Sequence, residues 1–165
     1  MLSHTKTHDE NIFKNNLSSV SDSDIDTEFK DSQQWMLSNG LRGYDVIVYP
    51  WGNFGDQAQR YENIAKKYYK YGLNASGTYN TPTTDNMYLS RHEINKTEDF
   101  NTVLKPIIDE CISSKGWLIL STHSYDDSEF DVNYFSTVLD YIKQNNIPIM
   151  TFSQAAEYEK THNNQ

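Results

Sequence analysis

Short runs rich in β-branched and aromatic residues alternate along this chain with longer stretches that carry apolar residues at helical spacing. This alternation constrains the fold more than any other feature. Successive strand–helix–strand units bury their apolar faces as parallel pairs with helices packed on the sheet. Tyr44-Asp45-Val46-Ile47-Val48-Tyr49, ended by Pro50, reads as a buried strand. Before it, Ser23 caps a helix to about Asn39, with Ile25, Phe29, Met36 and Leu37 on one face and Gly40 as its stop. After it, a second helix spans about Asp56 to Tyr71, turning Ala58, Tyr61, Ile64, Ala65 and Tyr68 inward, with Gly72 at its end.

Two short strands, Ala75 to Tyr79 and Met87 to Ser90, flank a turn-rich segment. A helix that starts near Thr97 and ends before Lys115-Gly116 sets Phe100, Val103, Leu104, Ile107, Ile108, Cys111 and Ile112 at core spacing. Pro106 within it predicts a kink or a later start. Trp117 to Leu120 reads as a strand leading to Ser121-Thr122-His123. A helix from about Asp131 to Asn145 buries Val132, Phe135, Val138, Leu139 and Ile142. Ile147 to Phe152 is a last short strand, and Ser153 caps a final helix. The pattern predicts an α/β fold with a largely parallel sheet or barrel, and residues 1–165 read as a single domain.

The chain is 36% hydrophobic with 12 Tyr, a globular composition. Its net charge of −9 weighs against nucleic-acid binding through phosphates. No apolar run approaches the ~20 residues of a membrane-spanning helix, and the polar N-terminus is no signal peptide. Cys111 is the only cysteine, so no internal disulfide forms, and its place in an apolar stripe reads as a small core residue.

Three features point to chemistry. His4 and His8 stand four residues apart, a spacing that lets both imidazoles face one side of a helical turn and suits a divalent metal. They precede the first helix, as they would if a strand, now absent, fed into it. Tyr49-Pro50-Trp51-Gly52 follows the first clear strand, and His123 closes a later one. Parallel α/β folds gather their sites at such carboxyl ends of strands. Each feature alone has a plain structural reading: solvated histidines, a turn with a packed aromatic, a hydrogen-bonded strand-end histidine. Their order and common rim favour a shared site.

This ordered set resembles the polysaccharide deacetylase family, the NodB-homology carbohydrate esterases. That family folds as a distorted (β/α) barrel and uses a divalent metal, usually zinc, to remove N-acetyl groups from chitin- or peptidoglycan-like sugars. The family's H-[ST]-x-x-H motif matches His4-Thr5-Lys6-Thr7-His8, which implies metal ligation by His4 and His8. Its R-x-P-[aromatic]-G motif is partly matched by Val48-Tyr49-Pro50-Trp51-Gly52, which gives the Trp51 N–H a role in holding the oxyanion. An aliphatic strand ending in histidine matches Trp117 to His123 and makes His123 the general acid toward the departing amine. Asp140 to Phe152 is similar to the family's closing helix and strand. Tyr49, Pro50 and Tyr125, beside these positions, are candidate sugar-contacting residues.

The departures shape the expectation. The family's T-F-D-D motif, source of the catalytic base and the third metal ligand, precedes the histidine pair and is not in this chain. Val48 stands in place of the third motif's Arg, no counterpart of the fourth motif is found between Leu73 and Arg91, and Ser121 replaces a Leu of the fifth. The expected protein is an incomplete, distorted (β/α) barrel lacking its N-terminal strand and helix. Its expected activity is metal-dependent deacetylation of an N-acetylated polysaccharide or oligosaccharide, impaired in this chain. Met1 as an internal or misassigned start would account for the missing motif. The alternative is a non-catalytic carbohydrate-binding or structural envelope or phage-tail module, with Trp51, Tyr49, Tyr79 and Tyr125 stacking on sugars. Unpaired sheet edges predict self-association or complementation by an N-terminal segment. The resemblance implies an extracellular, cell-envelope or virion location. His92 and His162 match no family position.

Overall fold

A computed structural model describes residues 1–75, 77–123 and 130–162. The fold is mixed α/β with parallel sheets, and the chain divides into two compact units. The first comprises Met1–Gly77 with Thr84–Ser90, and the second Thr78–Thr83 with Arg91–Gln165.

In the first unit, four strands lie in the order β1 (Leu2–Ser3), β2 (Gly43–Val48), β3 (Tyr71–Asn74) and β4 (Leu89–Ser90), all parallel. Helix α1 (Asp22–Ser38) connects β1 to β2, and α2 (Ala58–Ala65) connects β2 to β3. Helix α1 starts at Ser21, whose hydroxyl accepts the Asp24 N–H and donates to the Asp24 carboxylate, a reciprocal N-terminal cap. It ends in a Schellman turn, with Gly40 N–H on Leu37 O and Leu41 N–H on Met36 O. Ile25, Phe29 and Met36 are buried, while Leu37 is exposed.

The core of this unit is aromatic. Phe13, Phe29, Tyr49, Phe54, Tyr61 and Tyr69 pack together, with Phe54 stacked on Tyr61 at 4.2 Å and Tyr49 edge-on to Phe54 at 5.1 Å. A buried phenol must find an acceptor. Tyr49 donates to Met87 O at 3.0 Å, Tyr69 to Phe29 O at 2.8 Å, and Tyr61 to Ile12 O.

Strand β3 departs from the sequence reading. The predicted second helix ends at Ala65, and Tyr71–Asn74, fully buried, forms a strand rather than a helix end. Gly72 is therefore not a helix stop. A Cβ there would overlap the Tyr49 hydroxyl and lie 2.5 Å from Met87 O, so the glycine makes room for a core phenol. Among the described residues of the predicted strand Ala75 to Tyr79 none is in a strand, and its neighbour shortens to Leu89–Ser90. A strand does precede the histidine pair, since Leu2–Ser3 pairs with β2.

The second unit holds β5 (His92–Glu93) parallel to β6 (Leu120–Ser121), with helices α3 (Lys105–Ser113), α4 (Val132–Gln144) and α5 (Phe152–His162). Ile94, Leu104, Ile108, Val138 and Ile142 form its core. Pro106 sits in the first turn of α3, directly after a π-helical turn at Phe100–Leu104, and the α-helix starts later than its apolar spacing suggests. Asp99 caps the wide turn before it by accepting the Thr102 N–H. Cys111 is buried, and burial pushes its thiol up.

Several predicted positions shift. The strand expected from Trp117 narrows to β6, although Trp117 still exchanges main-chain hydrogen bonds with Asn80. Ile147 to Phe152 forms no strand; Ile149 and Met150 are exposed, and Phe152 opens α5. Thr151, not Ser153, caps that helix, trading hydrogen bonds with Gln154. Val103, Ile112, Val132 and Leu139 are exposed at positions the periodicity assigned to the core.

Two stability predictions follow from the first unit. Gly72→Ala is expected to cost about 1–3 kcal/mol in urea unfolding, the usual penalty for forcing atoms into a filled core. On α2, burial and the Asp85 charge hold the Glu62 carboxyl above its usual range, with Lys66 opposing. A raised carboxyl favours folding below its ordinary value of 4.5 and loses that contribution as pH rises through the raised one. Glu62→Gln is therefore expected to raise Tm at pH 7, with the difference shrinking in scans below pH 4.5.

Candidate functional site

The carboxyl ends of β1 and β2 bring His4, His8 and Trp51 together. His4 directly follows β1 and donates its Nδ1–H to Val48 O, the last carbonyl of β2, at 2.7 Å. A carbonyl can only accept, so Nδ1 carries a proton, which in the neutral ring leaves the lone pair on Nε2. Metal-binding imidazoles are commonly oriented by such a main-chain acceptor.

The His4 and His8 ring centroids are 4.7 Å apart, and the His8 ring lies 4.3 Å from that of Trp51. The spacing argument expected a helical turn; the segment is instead a loop. Thr5 and His8 both have positive φ, 65° and 55°, values that L-residues with a branched or bulky side chain seldom adopt. The curl is held from α1. The buried Glu28 carboxylate accepts the Lys6 N–H at 3.0 Å, the Thr7 N–H at 2.8 Å and the Thr7 hydroxyl at 2.8 Å. The Thr5 hydroxyl accepts the His8 N–H at 3.2 Å. The histidines thus meet through loop closure rather than helical periodicity.

Trp51 has φ 54°, and the following Gly52 has φ 64° with its N–H on Pro50 O. Gly52 packs against the Ala75 backbone so closely that a Cβ would overlap the Ala75 N. The tight turn projects the indole toward His8 on one side, while Lys14 Nζ lies 5.4 Å from its centroid. Among the described residues no acceptor takes the Trp51 main-chain N–H. Tyr49 and Pro50 are fully buried and have no surface to offer a sugar, which removes them as substrate contacts; Tyr49 is a core residue. Tyr125 lies outside the described residues.

His123 belongs to the second unit, just beyond β6. Its Nδ1 lies 2.6 Å from Glu93 Oε1, a pairing that sets Nε2 as the outward-acting nitrogen when Nδ1–H donates to the carboxylate. Next to Glu93, His92 bonds Glu98 at 2.8 Å, and Glu98 also accepts the Tyr134 hydroxyl at 2.9 Å. Burial and Glu98 push the Tyr134 phenol up. Neither Glu28 nor Glu93 stood out in the sequence. Each acts on a residue more than twenty positions away, beyond the reach of any local motif.

The donor chemistry fits part of a divalent metal shell. Two imidazoles, one of them of fixed tautomer, suit zinc. Among the described residues, no three or more His, Cys, Asp or Glu side chains gather where they could hold a metal ion. No helix among the described residues is long and apolar enough to cross a membrane. No protein-family model, curated protein or solved structure significantly matches this chain.

Glu28→Ala is expected to destabilise the protein by about 1–3 kcal/mol, because it strands two main-chain donors. It should also release His8 from Trp51. In NMR spectra the His8 ring protons, shifted by the indole, should move toward their free-peptide positions.

Proposed function

We propose that this chain is a metal-dependent hydrolase, impaired for want of an Asp-containing base motif, that removes N-acetyl groups from a polysaccharide of chitin- or peptidoglycan-like amino sugars. The observation that carries the reading is the convergence of His4, His8 and Trp51 at the ends of two parallel strands, with His4 held in one tautomer by Val48 O. On this reading the parallel strands are parts of a distorted (β/α) barrel of the polysaccharide deacetylase type. Every strand pair within the two sheets is parallel, which supports it.

His4 and His8 would hold a zinc ion through imidazole nitrogens. Such an ion supplies Lewis acidity toward an amide carbonyl and acidifies a water toward pKa about 7. The Trp51 N–H, in a turn whose shape Gly52 permits, donates to the oxyanion that forms as the acetyl carbonyl is attacked. Within the second unit, Glu93 orients the His123 ring and would stabilise its imidazolium, the form a general acid needs. The presence of Val48 where the family has Arg leaves the His4 contact intact, since only its carbonyl is used.

The test combines zinc titration with acetate release from N-acetylglucosamine oligomers. One weakly held zinc per chain and slow, zinc-dependent release are expected. His4→Ala or His8→Ala should weaken zinc binding at least about tenfold and abolish release. Oligomer binding at 1:1 stoichiometry with neither zinc binding nor release would instead establish a non-catalytic carbohydrate-binding module.

A further inference from the structure

A groove of about 440 Å³ opens in the first unit, and His4 forms part of its wall. Another part is α1, which contributes Asp31, Ser32 and Trp35. Trp35 is 59% exposed, although its neighbour Met36 is buried. The buried face of α1 is already supplied by Ile25, Phe29 and Met36, so the helix does not need Trp35 for its packing. An indole left in water beside a groove is an unspent binding surface, because Trp combines a wide apolar plane with little conformational freedom to lose.

Beside apolar Met1, Leu2 and Met36, the groove wall carries polar groups, among them one matched charge pair. Lys6 Nζ donates to Asp31 Oδ2 at 2.7 Å, and Ser32 Oγ pairs with Ser3 Oγ at 2.7 Å. A matched charge pair gives no net attraction to an ionic ligand, but it offers both a donor and an acceptor to hydroxyl groups. An apolar plane with neutral donors and acceptors at its edge complements a pyranose ring, which has an apolar C–H face and a rim of hydroxyls. The volume falls within the usual range for small-ligand sites, about 300–1,000 Å³.

We propose that this groove is a glycan subsite in which a neutral pyranose ring lies on the Trp35 indole and its hydroxyls bond Asp31 and Lys6. Because His4 is in the groove wall, the next sugar of the same polymer would lie beside His4. The identity of that sugar as an N-acetylated hexosamine rests on the proposed deacetylase reading; the subsite itself does not.

The test is calorimetric titration of the full chain with the N-acetylglucosamine tetramer. Trp35→Ala is expected to weaken binding at least about tenfold, Trp35→Tyr to restore most of it, and both variants to bind zinc as the parent does. Because Trp35 is exposed, both are expected to fold. Equal affinity of parent and Trp35→Ala overturns the subsite. So does a Trp35→Ala chain that loses self-association in sedimentation while tetramer binding is unaltered, since a second copy then occupies the groove. If the tetramer binds in a Trp35-dependent way but acetate release is absent, the hydrolase reading fails and the subsite stands. If zinc-dependent release persists with KM unchanged in Trp35→Ala, the subsite fails and the hydrolase reading stands.

Discussion

The Glu28 carboxylate accepts three hydrogen bonds from Lys6 and Thr7, and the shape of the whole N-terminal loop depends on it. Two non-glycine residues there take left-handed backbone conformations, each costing roughly 1–2 kcal/mol. Hydrogen bonds to a charged acceptor are each of comparable size, about 1.5–3 kcal/mol, so the carboxylate offsets the strain. Without the curl, His4 and His8 would follow β1 in an extended direction, on one face but about 13 Å apart along the strand. The position of Glu28 is in turn secured by α1, through the Ser21 cap, the Schellman turn at Gly40 and the burial of Phe29 beside it.

A second constraint comes from the aromatic core. Tyrosines fill space as phenylalanines do, but each carries a hydroxyl that must be satisfied in the interior. Tyr69 reaches both Phe29 O and Ser3 Oγ, which ties α1 and β1 to the segment leading into β3. Tyr49 reaches Met87 O across Gly72. These bonds are directional, so they select one packing among the several that a purely apolar core of equal volume would accept. The strand-end turn at Trp51 begins one residue beyond this anchored Tyr49–Pro50 pair, which gives the candidate site a rigid footing.

Local signals in the sequence reached a definite depth. Helices α1 and α4 and strand β2 are legible because their apolar periods are clear and Gly40 stops α1 as expected, although Ser21 rather than Ser23 caps α1. Gly72 was ambiguous in principle: a glycine after an apolar helical stretch marks a helix end as readily as a close approach, and only the position of Tyr49 decides. The β-rich segment Ile147 to Phe152 has the composition of a strand, yet it pairs with nothing among the described residues, and the Thr151–Gln154 cap draws its end into α5. The histidine spacing announced proximity, but the proximity arises from a curled loop fastened by Glu28. Pro50-Trp51-Gly52 was visible as a turn, whereas the burial of Tyr49 was hidden because a tyrosine beside a turn is as often solvated as internal. Glu93 and Glu28 were invisible for one reason: long-range partners leave no periodicity.

The His4–Val48 bond has a consequence for how such a chain tolerates change. It is made to a main-chain oxygen, which every amino acid provides, so position 48 is free to vary in side chain without disturbing the imidazole. Geometry of this kind survives sequence drift that erases recognisable signatures. Two chains could then share the same arrangement of rings while their letters at that position have nothing in common.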